Sequence, residues 1–247
     1  MRFKDKTVLI LGGNSDVANP LIKNFISLES KLIITTRQNN NISSLKSNLG
    51  INNKLNCEVI FFDVLDYNTH EKFYDSLDSK PDIVICCIGL LGNQKSSEKN
   101  FNESQKVINT NYTGIVSILN IIANDFEKKR SGVIVGISSV AGERGRSSNY
   151  IYGSSKAALS VYLSGLRNRL WSSNVSVISI KPGFINTKMT YNLDLPNILT
   201  ASPKKVSKDI IKAIRKQSNI VYTLSIWRYI MLLIKSLPES IFKRLRL

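Results

Sequence analysis

Short runs of apolar, largely β-branched residues alternate with amphipathic stretches along this chain, and that alternation leaves few folds open. The runs that predict strands are 7–11, 31–36, 58–62, 82–87, 133–138, 175–181 and 220–222, and helical patterns lie at 17–28, 42–49, 69–77, 101–126, 152–171 and 204–216. Strands that are apolar throughout and separated by helices indicate a parallel sheet that is covered on both faces. We therefore predict a doubly wound, Rossmann-like α/β fold of about seven strands, whose ligand crevice lies outside the carboxyl ends of the strands.

Length and composition fit this fold. The 247 residues, of which 43% are hydrophobic, suffice for one large domain with a real core. No linker precedes residue 220, so we predict a single dinucleotide-binding domain over 1–222 and an amphipathic basic tail over 223–247. The first apolar run is too short for a signal peptide and leads directly into a glycine turn. Cysteines without a disulfide pattern are typical of a reducing compartment, so we expect a cytoplasmic protein.

Basic residues exceed acidic ones by a wide margin. The chain has 34 Lys and Arg against 18 Asp and Glu, which gives a formal net charge of +16. This excess favours anionic partners such as nucleotides, nucleic acid, acidic lipid or phosphate-bearing substrates. A basic surface that is merely solvated has the same composition, so the charge alone does not choose among them.

A glycine turn follows the first predicted strand in the segment LGGNSDVA, residues 11–18. Gly12 and Gly13 fit the tight turn through which backbone N–H groups approach a pyrophosphate at a helix N-terminus. Asp16 stands where a later glycine is usual, and we expect it to cap the helix. An ordinary strand-to-helix turn without a ligand is the alternative. At the end of the second strand, Arg37 favours the 2′-phosphate of NADPH, unless it is simply solvated.

A tyrosine and a lysine, Tyr152 and Lys156, stand one helical turn apart in NYIYGSSKAAL, residues 149–159. Residues at i and i+4 share one helix face, so the two side chains can meet in the crevice. A free tyrosine has a pKa near ~10, and a neighbouring ammonium lowers that pKa. Ser139, which ends a predicted strand, can hydrogen-bond a substrate carbonyl. The pattern predicts a proton-transfer site.

Together, these residues and the glycine turn resemble the short-chain dehydrogenase/reductase family over residues 6–190. The likeness includes NYTG at 111–114, DV at 63–64 and KPGFINT at 181–187. It implies that Tyr152 is the general acid of ketone reduction and that Lys156 binds the nicotinamide ribose and lowers the pKa of the phenol. It also implies that Ser139 polarises the carbonyl and that Asn111 anchors a proton-relay water. The chain departs from the family at 86–89, where CCIG replaces NNAG.

The resemblance further implies NADPH or NADH as the coenzyme, and a homo-oligomer that pairs through the helices at 101–126 and 152–171. Thr187 is expected near the nicotinamide amide, and we predict no metal site. The predicted coenzyme-binding residues are Gly12, Asn14, Ser15, Asp16, Val17, Arg37, Asp63, Val64, Gly89, Tyr152, Lys156, Pro182, Gly183 and Thr187.

The carboxyl-terminal segment carries an apolar stripe at helical spacing. Its members are Trp227, Ile230, Met231, Ile234, Leu237 and Ile241, and the basic residues of the segment are Arg228, Lys235, Lys243, Arg244 and Arg246. The uninterrupted apolar run 229–234 is shorter than the ~20 residues that span a bilayer. A stripe with aromatic rims and flanking cations predicts an interfacial helix on a membrane surface. Packing of the tail on the domain or on a second subunit is the alternative.

Two features bear on the substrate. Glu143, Arg144 and Arg146 lie at the border of the crevice, where the arginines contact a phosphate or a polar sugar, or are solvated. The segments 138–170, 181–190 and 229–247 are similar to a subgroup of the family that includes the keto-sugar reductase of the decaprenylphosphoryl-ribose 2′-epimerase system. This likeness implies a polyprenyl-phosphate-linked keto-sugar, a flavin-dependent oxidase partner, and a peripheral place on the inner face of the cytoplasmic membrane in cell-envelope synthesis. Reductases of that subgroup use NADH at least as readily as NADPH, so the coenzyme stays open between the two.

Two other functions remain open. A soluble carbonyl reductase of a small or acyl substrate, whose tail completes a dimer, has the same motifs. A non-catalytic dinucleotide-sensing or nucleic-acid-binding protein fits the charge and the altered glycine turn. However, the chain lacks a basic recognition helix and an aromatic stacking platform, and a sensor does not need a tuned tyrosine–lysine pair. We therefore predict an enzyme without a nucleic-acid partner.

Overall fold

The computed structural model describes residues 2–37, 42–49, 56–191 and 193–245. Its strands are β1 (Thr7–Leu11), β2 (Lys31–Thr36), β3 (Cys57–Phe61), β4 (Ile83–Cys86), β5 (Gly132–Ile137), β6 (Val175–Pro182), β7 (Phe184–Ile185), β8 (Thr200–Ala201) and β9 (Ile220–Thr223). Seven of them form one parallel sheet in the order β3-β2-β1-β4-β5-β6-β9, and β7 pairs with β8 in a separate short ladder. The predicted doubly wound fold is confirmed, and each predicted strand lies in the large sheet.

Helices cover both faces of this sheet. They are α1 (Ala18–Ser27), α2 (Ile42–Leu49), α3 (His70–Asp75), α4 (Gln94–Lys99), α5 (Phe101–Ile108), α6 (Gly114–Lys129), α7 (Tyr150–Leu170), α8 (Pro203–Lys216), α9 (Ile226–Ser236) and α10 (Glu239–Phe242). The predicted continuous helix over 101–126 is wrong in one respect, because a π-helical turn at Asn109–Thr113 separates α5 from α6. Gly114 begins α6 so close to the loop after β3 that a Cβ there would lie 2.1 Å from the carbonyl oxygen of Val64.

The central strands bury both of their faces. Val8 and Ile10 of β1 pack with α1, α2 and α8 on one side of the sheet. Leu9 and Leu11 pack with α3, α6 and α7 on the other side. Neither face of β1 meets water, which explains why its sequence shows no alternation of apolar and polar residues.

The strand order places a crevice beside the middle of the sheet. From β1 the chain proceeds outward to β2 and β3, and then crosses to β4 on the other side of β1. The loops that leave the carboxyl ends of β1 and β4 therefore run in opposite directions. Doubly wound sheets bind their ligands at this switch in strand order.

The tail packs on the domain. Trp227 and Met231 of the predicted stripe are 3% and 0% exposed and pack with Val140, and Ile230 and Ile234 pack against the same cluster. The interfacial interpretation of that stripe is wrong, because these residues face the domain rather than the surroundings. Among the described residues, no helix has both the length and the apolar character needed to cross a membrane. Arg246, one of the predicted cations, lies outside the described residues.

The arginines between the serine and tyrosine motifs hold this tail. Arg144 donates through Nη1 to the main-chain oxygens of Ile234 and Leu237, at 2.6 and 2.7 Å, near the end of α9. Arg146 donates through Nη2 to the sulfur of Met231 at 3.3 Å. The predicted contact of these arginines with a phosphate or sugar is therefore wrong, and they are not simply solvated, because both side chains are engaged with α9.

Candidate active site

A cavity of about 400 Å³ lies where the strand order reverses, at the carboxyl ends of the central strands. Ligand sites commonly enclose ~300–1,000 Å³. The predicted residues that line it are Gly12, Asn14, Ser15, Asp16, Val17, Arg37, Asp63, Val64, Gly89, Ser139, Tyr152, Lys156, Pro182, Gly183 and Thr187. The structure thus gathers residues from seven separate stretches of sequence around one space.

The turn after β1 presents main chain to this cavity. Gly12 has a φ of +87°, a left-handed conformation that favours glycine. Gly13 has no room for a side chain, because a Cβ there would lie 2.3 Å from Cγ2 of Ile34. The N–H of Gly13 donates to the carbonyl oxygen of Thr35 at 2.7 Å, which ties the turn to β2. A backbone cradle of this kind next to the N-terminus of α1 fits the pyrophosphate of a dinucleotide.

Asp16 does not cap α1. Its Oδ2 accepts a hydrogen bond from the backbone N–H of Lys188 at 2.7 Å, across the cavity mouth. The N-cap residue of α1 is Val17, whose side chain makes no capping bond and whose N–H donates to Oγ of Ser15 at 3.4 Å. The predicted capping role is therefore wrong: Asp16 links the phosphate turn to the segment that follows β7.

Residues at strand ends complete the coenzyme side of the cavity. Arg37 is exposed just beyond β2, and Asp63 accepts a hydrogen bond from the N–H of Leu65 at 3.0 Å in the loop after β3. The lining residues that sequence reasoning missed are Thr35, Thr36, Phe62, Cys87, Ile88, Leu90, Thr110, Ile137, Ser138, Ile185, Lys188 and Met189. Several of them are the last residues of predicted strands, and that position was the signal that could have found them.

The departure from the family at 86–89 fills the space beside the glycine turn. A Cβ added to Gly12 would lie 3.0 Å from Cγ1 of Ile88, so this side chain packs against the turn. Burial raises the pKa of the Cys86 thiol to about 11 and that of the Cys87 thiol still further. Both sulfurs are therefore neutral near pH 7 and act as small apolar groups.

Ser139, Tyr152 and Lys156 meet on one wall of the cavity. The Ser139 hydroxyl, which follows β5, lies close enough to the phenol of Tyr152 to lower its pKa. Lys156 is 3% exposed on α7, and its ammonium donates to the carbonyl oxygen of Ile137 at 2.9 Å. The same nitrogen lies 5.8 Å from the centre of the Tyr152 ring.

Burial dominates the titration of this wall. It raises the pKa of Tyr152 to about 12, against a lowering by the Ser139 hydroxyl. It lowers the pKa of Lys156 to about 8. The prediction that Lys156 lowers the pKa of the phenol is therefore wrong for this structure, because the ammonium is directed at a main-chain oxygen. At neutral pH the phenol keeps its proton, as a proton donor must.

Asn111 lies behind the cavity and is fully buried in the π-helical turn. Its side chain accepts from the N–H of Leu90 at 2.7 Å and donates to the carbonyl oxygen of Leu90 at 2.8 Å. It also donates to Oγ of Ser155 at 3.0 Å. Asn111 therefore fixes the loop after β4 to α7, directly beside Lys156, and π-turns of this kind are frequent at functional sites.

The fold and this cavity define a class: a doubly wound α/β oxidoreductase with a backbone cradle for a dinucleotide and a proton donor beside it. The narrower assignment follows from comparison with known families. The family model described as short chain dehydrogenase matches residues 6–197, and the chain belongs to that family. The resemblance inferred from the sequence is confirmed at this level.

Individual relatives agree with the assignment. An uncharacterised oxidoreductase of Streptomyces coelicolor is 29% identical over 244 residues, which cover 97% of this chain and 96% of that protein. Serine 3-dehydrogenase of Agrobacterium fabrum is 30% identical over 188 residues, 74% of each chain. The crystal structure of a short chain dehydrogenase from Burkholderia cenocepacia in complex with NADP has a TM-score of 0.84 at 16% identity and covers 99% of this chain and 98% of its own.

Proposed function

We propose that this protein reduces a ketone to a secondary alcohol with NAD(P)H, and that Ser139, Tyr152 and Lys156 carry the reaction. One observation carries the proposal: these three side chains share a wall of the cavity that also contains the glycine turn at the N-terminus of α1. Family membership supports the reaction class, and the NADP complex of the Burkholderia relative supports the type of coenzyme.

The side chains of the site divide the reaction among them. When bound, the reduced nicotinamide supplies the hydride that reaches the carbonyl carbon. Ser139 hydrogen-bonds the carbonyl oxygen and directs it toward Tyr152, which donates its phenolic proton to that oxygen. Lys156 stabilises the phenolate that remains and, as in the family, contacts the nicotinamide ribose. Asn111 has the family's role of anchoring the water that returns a proton.

Arg37 supports a preference for NADPH, because an exposed guanidinium just beyond β2 can pair with a 2′-phosphate. We expect Arg37→Gln to lower kcat/KM for NADPH about ten-fold, the loss of one charge-assisted contact, and to leave kcat/KM for NADH unchanged. Steady-state kinetics with both coenzymes provide the measurement. An equal effect on both, or on neither, would contradict the preference.

The substrate that we propose is a lipid-linked keto-sugar of cell-envelope synthesis, formed by a flavin-dependent oxidase and reduced by this protein as a homo-oligomer at the cytoplasmic membrane face. The sequence likeness to keto-sugar reductases supports the sugar, and the protein surface supports the lipid. The outward side of α9 exposes Ile226, Tyr229, Leu232 and Leu233, although its inward side is also apolar. A short helix that is apolar on both sides has more apolar surface than docking on the domain requires.

Cations suited to an anionic membrane lie on α8. Lys204, Lys208, Lys212 and Lys216 are exposed and recur at every fourth position, so they form one row along the helix. Like charges at this spacing destabilise a helix slightly, and an anionic surface removes that cost. The outward side of α9 and the lysine row are therefore the surfaces that we assign to lipid.

Vesicle sedimentation tests this assignment. We expect binding to vesicles that contain phosphatidylglycerol, weak binding to pure phosphatidylcholine, and loss of binding in Leu232→Glu/Leu233→Glu. Trp171→Glu is the matched control, because Trp171 is 81% exposed but lies at the end of α7, away from the tail. Unchanged sedimentation of the double variant, or an equal loss in the control, would exclude α9 as the lipid contact.

The substrate itself is tested by oxidation of NAD(P)H in the presence of a keto-pentose linked to a polyprenyl phosphate. A second candidate is a reductase of small polar carbonyl compounds, favoured by the likeness to serine 3-dehydrogenase, which is named for a free amino acid. Turnover of a small water-soluble ketone with a higher kcat/KM than the lipid-linked sugar would establish this second candidate. No turnover with either class would favour a non-catalytic role.

A further inference from the structure

We infer that Trp227 is a positioning residue that holds both ends of the segment 183–199, named here the wall segment, against the cavity. Gly183, Ile185, Thr187, Lys188 and Met189 of this segment line the cavity. Nothing in the family resemblance or in the relatives assigns a role to Trp227. The inference concerns the same site as the proposed function and rests on it for any activity readout.

The first end of the wall segment is shaped around the indole. A Cβ added to Gly183 would lie 1.9 Å from Nε1 and 2.0 Å from Cε2 of Trp227, so the ring occupies the space of the missing side chain. The ring of Phe184 meets the indole edge to face, with centroids 5.3 Å apart and an angle of 81°. Gly183 is therefore required by the tail as well as by its place in the cavity lining.

The second end is held by a hydrogen bond. Nε1 of Trp227 donates to the carbonyl oxygen of Leu199 at 3.1 Å. The indole is 3% exposed, so this bond is shielded from water and the donor has a partner, as a buried indole requires. One side chain of α9 thus contacts residues that lie sixteen positions apart, at the start and the end of the wall segment.

Main-chain contacts also join these two ends, and the N–H of Asn186 donates to the carbonyl oxygen of Ala201 at 3.0 Å. The two ends are bridged by the two-residue ladder of β7 and β8, in which Phe184 pairs with Thr200 and Ile185 with Ala201. So short a ladder is marginal on its own and needs a packed neighbour. In the middle, the wall segment is tied to the phosphate turn through the hydrogen bond from Lys188 to Asp16. Loosening either end therefore changes how Thr187 and Lys188 face the cavity.

Two variants separate the two contacts. Trp227→Phe keeps an aromatic ring against Gly183 but removes the N–H donor, and Trp227→Ala removes both contacts. We expect hydrogen–deuterium exchange at 197–201 to be about five-fold faster in Trp227→Phe, because one buried hydrogen bond is lost. Exchange at 183–185 should not change in this variant. In Trp227→Ala, both ends of the wall segment are expected to exchange faster.

Met231→Ala is the matched control. Met231 is also fully buried on the inward side of α9, but its one polar contact is with Arg146, so its truncation leaves the bond from Trp227 to Leu199 in place. We expect this variant to lower thermal stability without faster exchange at 197–201. Unchanged exchange there in Trp227→Phe, or an equal acceleration in Met231→Ala, would overturn the inference.

Kinetics provide the second readout. If the wall segment positions Thr187 against the coenzyme, Trp227→Phe raises the KM for NAD(P)H several-fold and leaves the pH profile of kcat unchanged. Exchange is measured on the protein without substrate, so it tests the positioning role even if the proposed ketone is wrong. Faster exchange without any turnover would contradict the proposed function alone, whereas normal exchange would contradict the positioning role alone.

Discussion

Helix α7 lines the cavity and α9 packs behind one of its walls, and the two helices are built in opposite ways. On α7, Ser155 and Lys156 are polar, buried, and satisfied by partners on neighbouring elements. On α9, the buried residues are the apolar Trp227 and Met231, and the end of the helix accepts polar bonds from Arg144, ninety positions earlier in the chain. We propose that the polar groups buried on the first helix take part in chemistry, whereas the apolar groups buried on the second hold a wall of the cavity in place.

This contrast predicts that substitutions on the two helices affect different properties, the catalytic rate for α7 and the stability of the fold for α9. Burying Lys156 lowers its pKa and so carries a cost in folding, which agrees with the catalytic role that we propose for it. Burying the inward side of α9 stabilises the fold and needs no chemical role. We therefore expect substitutions on α7 to change catalysis and substitutions around α9 to change stability and order.

The largest effect is expected for Tyr152→Phe. Removal of the general acid should lower kcat by about a thousand-fold, while the dissociation constant of NADPH changes less than two-fold, about the smallest change a titration resolves. Tyr150→Phe is the matched control, because Tyr150 is exposed and has Ser154 rather than a lysine four positions later. Retained turnover in Tyr152→Phe would remove the mechanism.

The next effect concerns the charge of Lys156. Its pKa is about 8, so raising the pH through 8 discharges the ammonium, and kcat/KM should fall about ten-fold per pH unit above it. Tyr152, with a pKa of about 12, does not titrate in this range. A pH profile of NAD(P)H oxidation measures this fall of kcat/KM above pH 8, the alkaline limb of the profile. In Lys156→Arg the limb should vanish, since a guanidinium keeps its charge; a limb that persists would belong to another group.

A third prediction concerns Glu143, which lies between Ser139 and Tyr152 in the sequence and connects that loop to the tail. Its side chain is 4% exposed, accepts from Lys181 at 2.8 Å, and lies 3.7 Å from Lys235. Glu143→Gln should lower the free energy of unfolding by about 2 kcal/mol, since a buried ammonium loses its counter-charge. Lys235→Gln is the control; it removes a half-exposed cation and should cost under about 0.5 kcal/mol. Equal losses of unfolding free energy in the two variants would contradict the larger contribution that we assign to Glu143.

The stabilisation that Glu143 contributes depends on pH in a definite direction. Burial raises the pKa of Glu143, but the hydrogen bonds from Lys181 and Tyr222 outweigh it, so the net pKa lies below the ordinary value. Its stabilisation is therefore complete above the unfolded pKa of about 4.3 and is lost as the pH falls through the lower folded pKa. Urea titrations of the wild-type protein and Glu143→Gln should differ by a constant amount at pH values well above the unfolded pKa and converge as the pH falls through the lower folded pKa.

The smallest effect is expected for Arg144→Lys. Lysine keeps the charge but has only one nitrogen, so it cannot bond Ile234 and Leu237 through one nitrogen and Glu239 through a second. It also cannot stack on Phe242, whose ring centre lies 3.8 Å from the guanidinium carbon. We expect a loss of about 1 kcal/mol in the local stability of α9 and α10, seen as faster hydrogen–deuterium exchange at 230–242. Arg228→Lys, an exposed change on the same helix, should leave that exchange unaltered.

Much of the fold and of the site was accessible from the sequence. Seven apolar runs became the seven strands of the sheet, because strands buried on both faces leave a direct mark on composition. The predicted lining residues fall in one cavity, because parallel strands bring their carboxyl ends to one edge. The π-turn at Asn109–Thr113 was missed, since a single extra residue in a helix barely changes its apolar periodicity.

The errors share a cause. The capping role of Asp16, the lowered pKa of Tyr152 and the outward direction of the tail's stripe were each inferred from residues nearby in sequence. Each was decided by a distant group: the N–H of Lys188 for Asp16, the carbonyl oxygen of Ile137 for the ammonium of Lys156, and the loop of Arg144 for the tail.

By itself, the sequence determined the layered sheet, the glycine turn and the spacing of Ser139, Tyr152 and Lys156, because periodicity and short-range spacing are properties of local backbone geometry. Only the tertiary structure decided which side of α9 is buried and which groups tune the site. An apolar side of a helix indicates that it will be buried, but it does not identify the surface that buries it. Likewise, a charge acquires its pKa from burial and from partners that the chain brings together only when it folds.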